Sequence, residues 1–276
     1  MSPPATTARG PWWTRLGSSV VGAGTATGAW LTHAYRSIDP QVRTQLGESP
    51  LLALTLLASA RTPDAQLPND GQRLVLFVHG LGGHRGNFVP MQKYFGWLGR
   101  TRTVSIGFPD CASIEVMAQH LAEAIQKLAR EHDLAEERGI DVVAHSMGGI
   151  ITRLALEDPA VAAHIHTLIT LATPHRGTQL ARFADTQKIR ELRPGSTLLQ
   201  RLDRQLPWAD HPELPELVCY WTPKDIVLLP PESARVPGAE AVCVPDSSHI
   251  GFLLKPRIWE SIFCRLGATD VLSTST

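Results

Sequence analysis

The fold of this chain is decided by the stretch Ile140-Asp141-Val142-Val143-Ala144-His145-Ser146-Met147-Gly148-Gly149. Its first half is a short apolar run, which is typical of a buried strand. The residues that follow it, 150–157, carry apolar side chains at helical spacing, and this pattern stops at Asp158-Pro159. The stretch therefore predicts a strand, a sharp turn that holds Ser146, and a helix.

The turn itself is one small residue away from the Gly-x-Ser-x-Gly nucleophile elbow. In that motif a strained turn between strand and helix aims a serine hydroxyl away from the sheet. The residues two before and two after the serine must be small because strand and helix nearly collide there, and Ala144 and Gly148 meet this demand. The alternative is a glycine that merely ends a strand and opens a helix, but the flanking patterns favour the elbow. Ser146 is thus a candidate nucleophile.

Similar apolar runs alternate with helical patterns along most of the chain. An amphipathic helix is predicted at 114–132, and a closing helix passes through Trp259 and Phe263. Further strands are predicted at 73–78, 101–108, 165–172, 217–221 and 241–244. This alternation predicts an α/β fold with a mostly parallel sheet that helices cover on both faces.

Two more candidate catalytic residues follow the ends of predicted strands, where open α/β sheets place their sites. Asp225 follows 217–221, and His249 follows 241–244. A serine hydroxyl needs a base to remove its proton, and a carboxylate then orients that base and stabilises its charged form. The chain order Ser146, Asp225, His249 is the order of this triad in α/β hydrolases. Asp246 is a rival acid, but it lies only three residues before His249.

A site for a developing oxyanion is also predicted. One donor is the backbone N–H of Met147, directly after the nucleophile at the start of a helix. The other is the N–H of Leu81, in the glycine-rich loop 79–83 that follows a buried strand. Gly82-Gly83 could instead form a simple turn, but its place after that strand favours a role in the site.

The amino-acid composition limits the kinds of molecule that the protein is expected to bind. The chain has 276 residues, and its 26 Lys plus Arg balance its 26 Asp plus Glu, so no net field attracts nucleic acid. Its four cysteines lie far apart without a C-x-x-C pair, which predicts small buried side chains rather than zinc ligands. We therefore expect no nucleic-acid partner. Because the candidate triad supplies the nucleophile, the base and the oxyanion donors, we expect no metal and no organic cofactor in the chemistry, with a structural calcium ion as the alternative left open.

Three motifs together resemble a known superfamily. His79-Gly80-Leu81-Gly82-Gly83, Ala144-His145-Ser146-Met147-Gly148-Gly149 and Leu171-Ala172-Thr173-Pro174-His175-Arg176-Gly177-Thr178 look like the motifs of α/β-hydrolase lipases and esterases. The chain is similar to small bacterial triacylglycerol lipases and to the GPI inositol-deacylase-like group over about residues 73–265. The resemblance implies an α/β-hydrolase fold and a lipase-like cap after Gly177. It also implies a triad and two oxyanion donors, namely Ser146, Asp225, His249, Leu81 and Met147.

The resulting domain organisation has two parts. Residues 1–70 are expected to form a helical, partly disordered extension, and residues 71–268 the catalytic domain with a cap at about 178–214. The run 51–58 is apolar all round, so it must be buried. Packing on the main domain is favoured over peripheral contact with a membrane, since nothing basic flanks the run. A cytoplasmic or peripherally membrane-associated protein is expected; Thr32-His33-Ala34 is only a weak sign of a secretion signal.

The predicted function is hydrolysis of carboxylic esters with lipid-like acyl groups through an acyl-enzyme. Apolar residues of the predicted cap, among them Leu199 and Leu202, must bury against the core or an acyl chain, and we predict that they influence the preference for acyl-chain length. The alternatives are an acyltransferase or thioesterase that uses the same triad, because one fold serves several acyl chemistries. A third is a non-catalytic hydrolase fold that serves as a binding module, which the intact triad residues disfavour.

Overall fold

The structure is a computed structural model that describes residues 67–68, 70–108, 113–131 and 139–273. Apart from residues 67, 68 and 70, the predicted N-terminal extension lies outside the described residues, as do its apolar run 51–58 and Cys111. The proposed division into an extension and a catalytic domain stays a prediction.

Six strands form one parallel sheet within the described residues. They are β1 (Leu74–Val78), β2 (Thr103–Ile106), β3 (Ile140–His145), β4 (Ile165–Leu171), β5 (Glu216–Trp221) and β6 (Glu240–Cys243). Their order in the sheet is β2-β1-β3-β4-β5-β6, and every neighbouring pair is parallel. The predicted strands are all present with ends shifted by one or two residues, and β3 lies inside the sheet, where a continuous apolar run belongs.

Seven α-helices are described around the sheet. They are α1 (Val89–Trp97), α2 (Ile114–Glu131), α3 (Met147–Ala155), α4 (Pro159–Ala162), α5 (Gln187–Glu191), α6 (Thr197–Leu202) and α7 (Pro256–Ser273). Short 3-10 turns lie at Arg85–Phe88, Gln179–Arg182, Asp203–Gln205, Trp208–Asp210, Pro231–Ala234 and Gly251–Leu253.

Two apolar layers hold the helices on opposite faces of the sheet. In β1 alternate side chains point to opposite faces, so Leu76 joins the cluster with α2 and α3, whereas Phe77 joins the cluster with α1 and α7. The apolar stripe of α2 is buried in the first layer, as its spacing predicts; its members are Ile114, Met117, Leu121 and Ile125. The predicted parallel sheet with helices on both faces is confirmed.

The structure contains two helices, α1 and α4, that the sequence patterns did not predict. The helix α1 was not predicted, because it buries only Met91 and Phe95 within its nine residues, too short an apolar repeat to stand out. The Asp158-Pro159 pair ends α3 as predicted, but it also opens α4. The Asp158 carboxylate accepts the N–H of Ala160 at 2.9 Å, and Pro159 takes the first helical position.

The one charged residue of the decisive stretch, Asp141, is fully buried near the start of β3. Its Oδ2 accepts from the guanidinium of Arg100 at 2.8 Å and from Nε of Arg73 at 3.3 Å. These partners satisfy a carboxylate that would otherwise be costly to bury. Asp141 can therefore lie in this buried strand, because its charge is paired there.

Candidate active site

Ser146 occupies a strained turn between β3 and α3. Its φ of 55° and ψ of −128° are unusual for a residue other than glycine. The backbone around it is held on both sides: its N–H donates to the Leu171 carbonyl at 2.8 Å, and its carbonyl accepts from Thr173 Oγ1 at 2.8 Å. The nucleophile-elbow geometry is therefore present, and neighbouring strand ends maintain it.

The loop after β1 packs directly against this elbow. A Cβ added at Gly80 would lie 2.8 Å from Ser146 Cβ and 2.9 Å from the carbonyl oxygen of His145, closer than real Cβ atoms approach. Only glycine allows the two backbones to come this near. The predicted oxyanion loop and the predicted nucleophile are thus in contact.

His249 lies within hydrogen-bond distance of both other triad candidates. Its Nε2 is 3.1 Å from Ser146 Oγ, and its Nδ1 is 2.8 Å from Asp225 Oδ2. A carboxylate only accepts, so Nδ1 carries the proton and donates it to Asp225. The unprotonated Nε2 then accepts from the Ser146 hydroxyl, which is the arrangement a general base needs.

The structure distinguishes the two candidate acids by position. Asp225 is buried, and its Oδ1 accepts the N–H groups of Val227 at 2.8 Å and Leu228 at 3.0 Å. Asp246 is exposed, with a carboxylate oxygen 3.5 Å from Lys224 Nζ. The structure therefore brings Asp225, and not Asp246, to His249.

The two predicted oxyanion donors lie beside the serine. Among the described residues, no protein acceptor takes the N–H of Leu81 or of Met147. The Met147 nitrogen is at the first position of α3, where helix N–H groups lack partners and favour negative charge. It is 3.2 Å from the point that a Cβ of Gly80 would occupy, so the donor loop and the helix start are adjacent.

An apolar cavity of about 370 Å³ opens on this group. Ser146, His249 and Leu81 lie in its wall. The rest of the wall is largely apolar and includes Leu180, Ala181, Ala184, Ile189, Leu192, Val227, Leu228, Ile250 and Leu253. A cavity of this kind fits an apolar chain whose polar end reaches the serine. A larger groove of about 780 Å³ around Arg201 and Arg204 shares no residue with it.

The predicted cap contributes to this cavity with only part of its length. Leu180, Ile189 and Leu192 line the cavity, so residues 178–192 cover it. Leu199 and Leu202, predicted to influence acyl-chain preference, do not line the cavity and are buried in the apolar layer that also holds α2 and α3. Of the two alternatives, burial against the core is the one found, because the apolar side of α6 packs inward against the domain.

Burial of two polar residues near the cap was not anticipated. Arg153, on α3, is buried and donates to Gln205 Oε1 at 3.0 Å and to the Leu202 carbonyl at 2.7 Å. Its guanidinium also lies 3.4 Å from Nδ1 of His175. Burial lowers the pKa of His175 well below its usual value, so the ring is neutral and accepts from Arg153. These hydrogen bonds attach the part of the cap around 202–205 to α3, and no sequence pattern indicated them.

The remaining expectations concern metals, cysteines and membranes. Among the described residues, no group of three or more His, Cys, Asp and Glu side chains could hold a metal ion. Cys219 is buried as expected, but Cys243 and Cys264 are exposed. No helix in the described part of the chain is long and apolar enough to span a bilayer.

A known protein family matches part of the chain. The model of a family described as the PGAP1-like alpha/beta domain matches residues 108–192, less than half of the chain. None of the curated protein sequences compared with the chain matches it.

Solved structures of lipases are similar in fold. The mature Bacillus licheniformis lipase BlEst2 is 16% identical, with a TM-score of 0.58, over 73% of this chain and 96% of that protein. An Aspergillus fumigatus lipase B is 17% identical, with a TM-score of 0.57, over 72% of this chain. The chain spans only about half of that lipase, 53% of its length. A Clostridium acetobutylicum lipase-esterase related protein is 14% identical, with a TM-score of 0.51, over 72% of this chain and 96% of its own.

The protein therefore has the fold of the α/β-hydrolase superfamily. The α/β-hydrolase fold that the resemblance of the three sequence motifs implies is confirmed.

Proposed function

We propose that this protein is a serine hydrolase that cleaves carboxylic esters with apolar acyl groups through an acyl-enzyme. The observation that carries the proposal is the hydrogen-bonded series from Ser146 Oγ through His249 to Asp225, which opens on an apolar cavity. The lipase fold of the similar structures supports the same class of reaction.

Acylation starts with attack of Ser146 Oγ on the ester carbonyl carbon, while His249 Nε2 takes the hydroxyl proton. The Asp225 carboxylate orients the ring and stabilises the imidazolium. The N–H groups of Leu81 and Met147 donate to the tetrahedral oxyanion. When the intermediate collapses, the ester C–O bond breaks and His249 gives its proton to the departing alkoxide.

Deacylation repeats these steps with water as the nucleophile. His249 removes a proton from water as the oxygen attacks the acyl carbon, and it returns that proton to Ser146 Oγ as the acyl group leaves. The products are an alcohol, a carboxylic acid and free enzyme. The apolar wall holds the acyl chain, because transfer of each methylene from water contributes about 0.8 kcal/mol.

The test combines a panel of p-nitrophenyl esters of increasing chain length with labelling by a fluorophosphonate. The wild-type protein should hydrolyse the esters and take up one label, and Ser146→Ala should remove both activities while it stays folded. Ser105→Ala, a serine-to-alanine change in β2, is the matched control and should behave like wild type. Labelling that persists at another serine in Ser146→Ala would overturn the assignment.

The same assay separates hydrolysis from acyl transfer or thioester cleavage. An acceptor alcohol and an acyl thioester are offered in parallel with the esters, and the products are identified. Transfer to the alcohol in preference to water, or faster turnover of the thioester, would replace ester hydrolysis as the assigned reaction.

A further inference from the structure

One buried histidine at the site has no part in the mechanism above. His145 is the last residue of β3 and directly precedes Ser146. Its Nε2 lies 2.9 Å from the backbone carbonyl oxygen of His249, a residue 104 positions away in sequence. The two imidazole rings are also in contact, with centroids 4.9 Å apart at an interplanar angle of 59°.

The direction of this hydrogen bond follows from its acceptor. A carbonyl oxygen only accepts, so His145 must carry its proton on Nε2 and donate it. Burial, followed by the charge of His249, lowers the pKa of His145 to about 3. The hydrogen bond to the His249 carbonyl and the charge of Asp225 raise that pKa and His79 lowers it, each more weakly than burial does. His145 is thus a neutral donor at neutral pH.

His249 lies in a loop, so no helix or strand fixes its backbone, and its ring is bonded to Asp225. Other hydrogen bonds hold the residues beside the histidine: Thr222 Oγ1 donates to the Ser247 carbonyl at 3.1 Å, the Ser247 N–H donates to the Val244 carbonyl at 3.2 Å, and the Gly251 N–H donates to Ser248 Oγ at 2.9 Å. None of these bonds involves an atom of His249. The bond from His145 is made to the backbone of the base itself, and it comes from the residue next to the nucleophile.

We propose that His145 is a positioning residue whose Nε2–H holds the backbone of His249 and so sets the distance between the base and Ser146. The inference rests on the proposed function, since it concerns the same reaction. The residue before the nucleophile thereby couples the elbow to the loop of the base. Catalysis depends on such distances, because a displacement of about 1 Å can lower a rate about 100-fold.

A pair of substitutions with side chains of equal length separates the donor from mere packing. In His145→Gln the amide Nε2 is as many bonds from Cβ as the imidazole Nε2, and it can donate to the same carbonyl. In His145→Met a side chain of the same length fills the space without a donor. Both proteins are compared with wild type by kcat and KM on one ester and by the rate of fluorophosphonate labelling at Ser146.

We expect His145→Gln to keep kcat within about 3-fold of wild type and His145→Met to lower kcat about 10- to 100-fold, with KM nearly unchanged. The labelling rate should fall in the same order. Equal losses in both variants, or wild-type kcat in His145→Met, would overturn the positioning role.

A measurement on the wild-type protein keeps the inference testable if His145→Met does not fold. The ¹⁵N chemical shifts of the histidine rings report the tautomer, and His145 should carry its proton on Nε2. A proton on Nδ1 with a bare Nε2 would overturn the inference, because that atom could not donate to a carbonyl.

The same spectra distinguish this inference from the proposed function. If wild type neither hydrolyses esters nor labels at Ser146, the proposed function fails. The role of His145 is then decided by the Nδ1–H resonance of His249, which reports its bond to Asp225. That resonance should persist in His145→Gln and be lost or exchange-broadened in His145→Met; an unchanged resonance in both variants would overturn the inference.

Discussion

Asp225 and His249 face each other across two loops, with Oδ2 of the carboxylate 2.8 Å from Nδ1 of the imidazole. The other carboxylate oxygen accepts two backbone N–H groups, from Val227 and Leu228. The carboxylate is thus held at both oxygens, and its orientation toward the ring does not depend on the flexibility of its own side chain. Strands β5 and β6, which precede the two loops, are neighbours in the sheet.

This arrangement predicts unequal effects of two aspartate substitutions. Asp225→Asn should lower kcat by up to about 10⁴-fold, as in a serine protease whose histidine takes the wrong tautomer, with little change in KM. Asp246→Asn should change kcat by less than about 2-fold, since its carboxylate pairs with surface lysine and arginine side chains. Steady-state kinetics on one ester checks both. The reverse order of effects would show that the acid is misplaced.

Only the first part of the cap, residues 178–192, lines the cavity, and this predicts different effects on activity and stability for substitutions of two leucines. Leu180→Ala should lower kcat/KM for long-chain esters more than for acetate esters, by about 4-fold for each acyl methylene that loses contact. Leu199→Ala, the matched change in the core, should lower the free energy of unfolding by about 2–5 kcal/mol. It should leave the ratio of long-chain to acetate activity unchanged. Chain-length profiles and urea unfolding measure the two effects; a changed ratio in Leu199→Ala would contradict the division.

The tight elbow predicts that Gly148 tolerates no side chain. A Cβ there would lie 2.5 Å from the carbonyl oxygen of Val78, which belongs to a central strand and cannot move aside cheaply. Gly148→Ala should therefore lower the free energy of unfolding by about 1–3 kcal/mol and slow labelling at Ser146. Gly96→Ala is the matched control in α1, where an added Cβ meets nothing within 4 Å. It should be neutral or stabilising by up to about 1 kcal/mol, and a loss of stability equal to that of Gly148→Ala would refute the steric argument.

Buried histidines predict acid sensitivity of the fold. Burial lowers the pKa of His145 to about 3 and that of His175 well below its usual value. In the unfolded chain both histidines have a pKa of about 6.5. Below that pH the unfolded state binds protons that the folded state does not. The free energy of unfolding should therefore fall with decreasing pH, by up to about 1.4 kcal/mol per pH unit for each histidine. For His145 this loss continues down to about pH 3.

Urea unfolding at a series of pH values tests this expectation. His175→Gln should reduce the slope of the free energy of unfolding against pH, between about pH 6 and pH 5, by up to about 1.4 kcal/mol per pH unit, the contribution of one histidine. Replacement of the exposed His120 by Gln is the control and should leave the slope as in wild type. An unchanged slope in His175→Gln would mean that His175 is protonated in the folded protein.

The sequence by itself determined the fold class and the strands, because these depend on patterns within about ten residues. The small residues at 144 and 148 and the apolar run before them sufficed to identify the turn at Ser146. The alternation of strands and helices then sufficed for a parallel sheet, since parallel strands need covered crossovers. The candidates Asp225 and His249 followed from their places after strand ends.

Only the tertiary structure decided which side chains meet. The neighbouring positions of β5 and β6 place Asp225 against His249, and the inward packing of α6 buries Leu199 and Leu202 away from the cavity. The partners of His145 and Arg153 lie 104 and 52 residues away for their bonds to His249 and Gln205. A polar side chain in an apolar run carries no local sign of the acceptor it will reach. That acceptor is set by which loops the packed sheet brings together, a property of the whole domain.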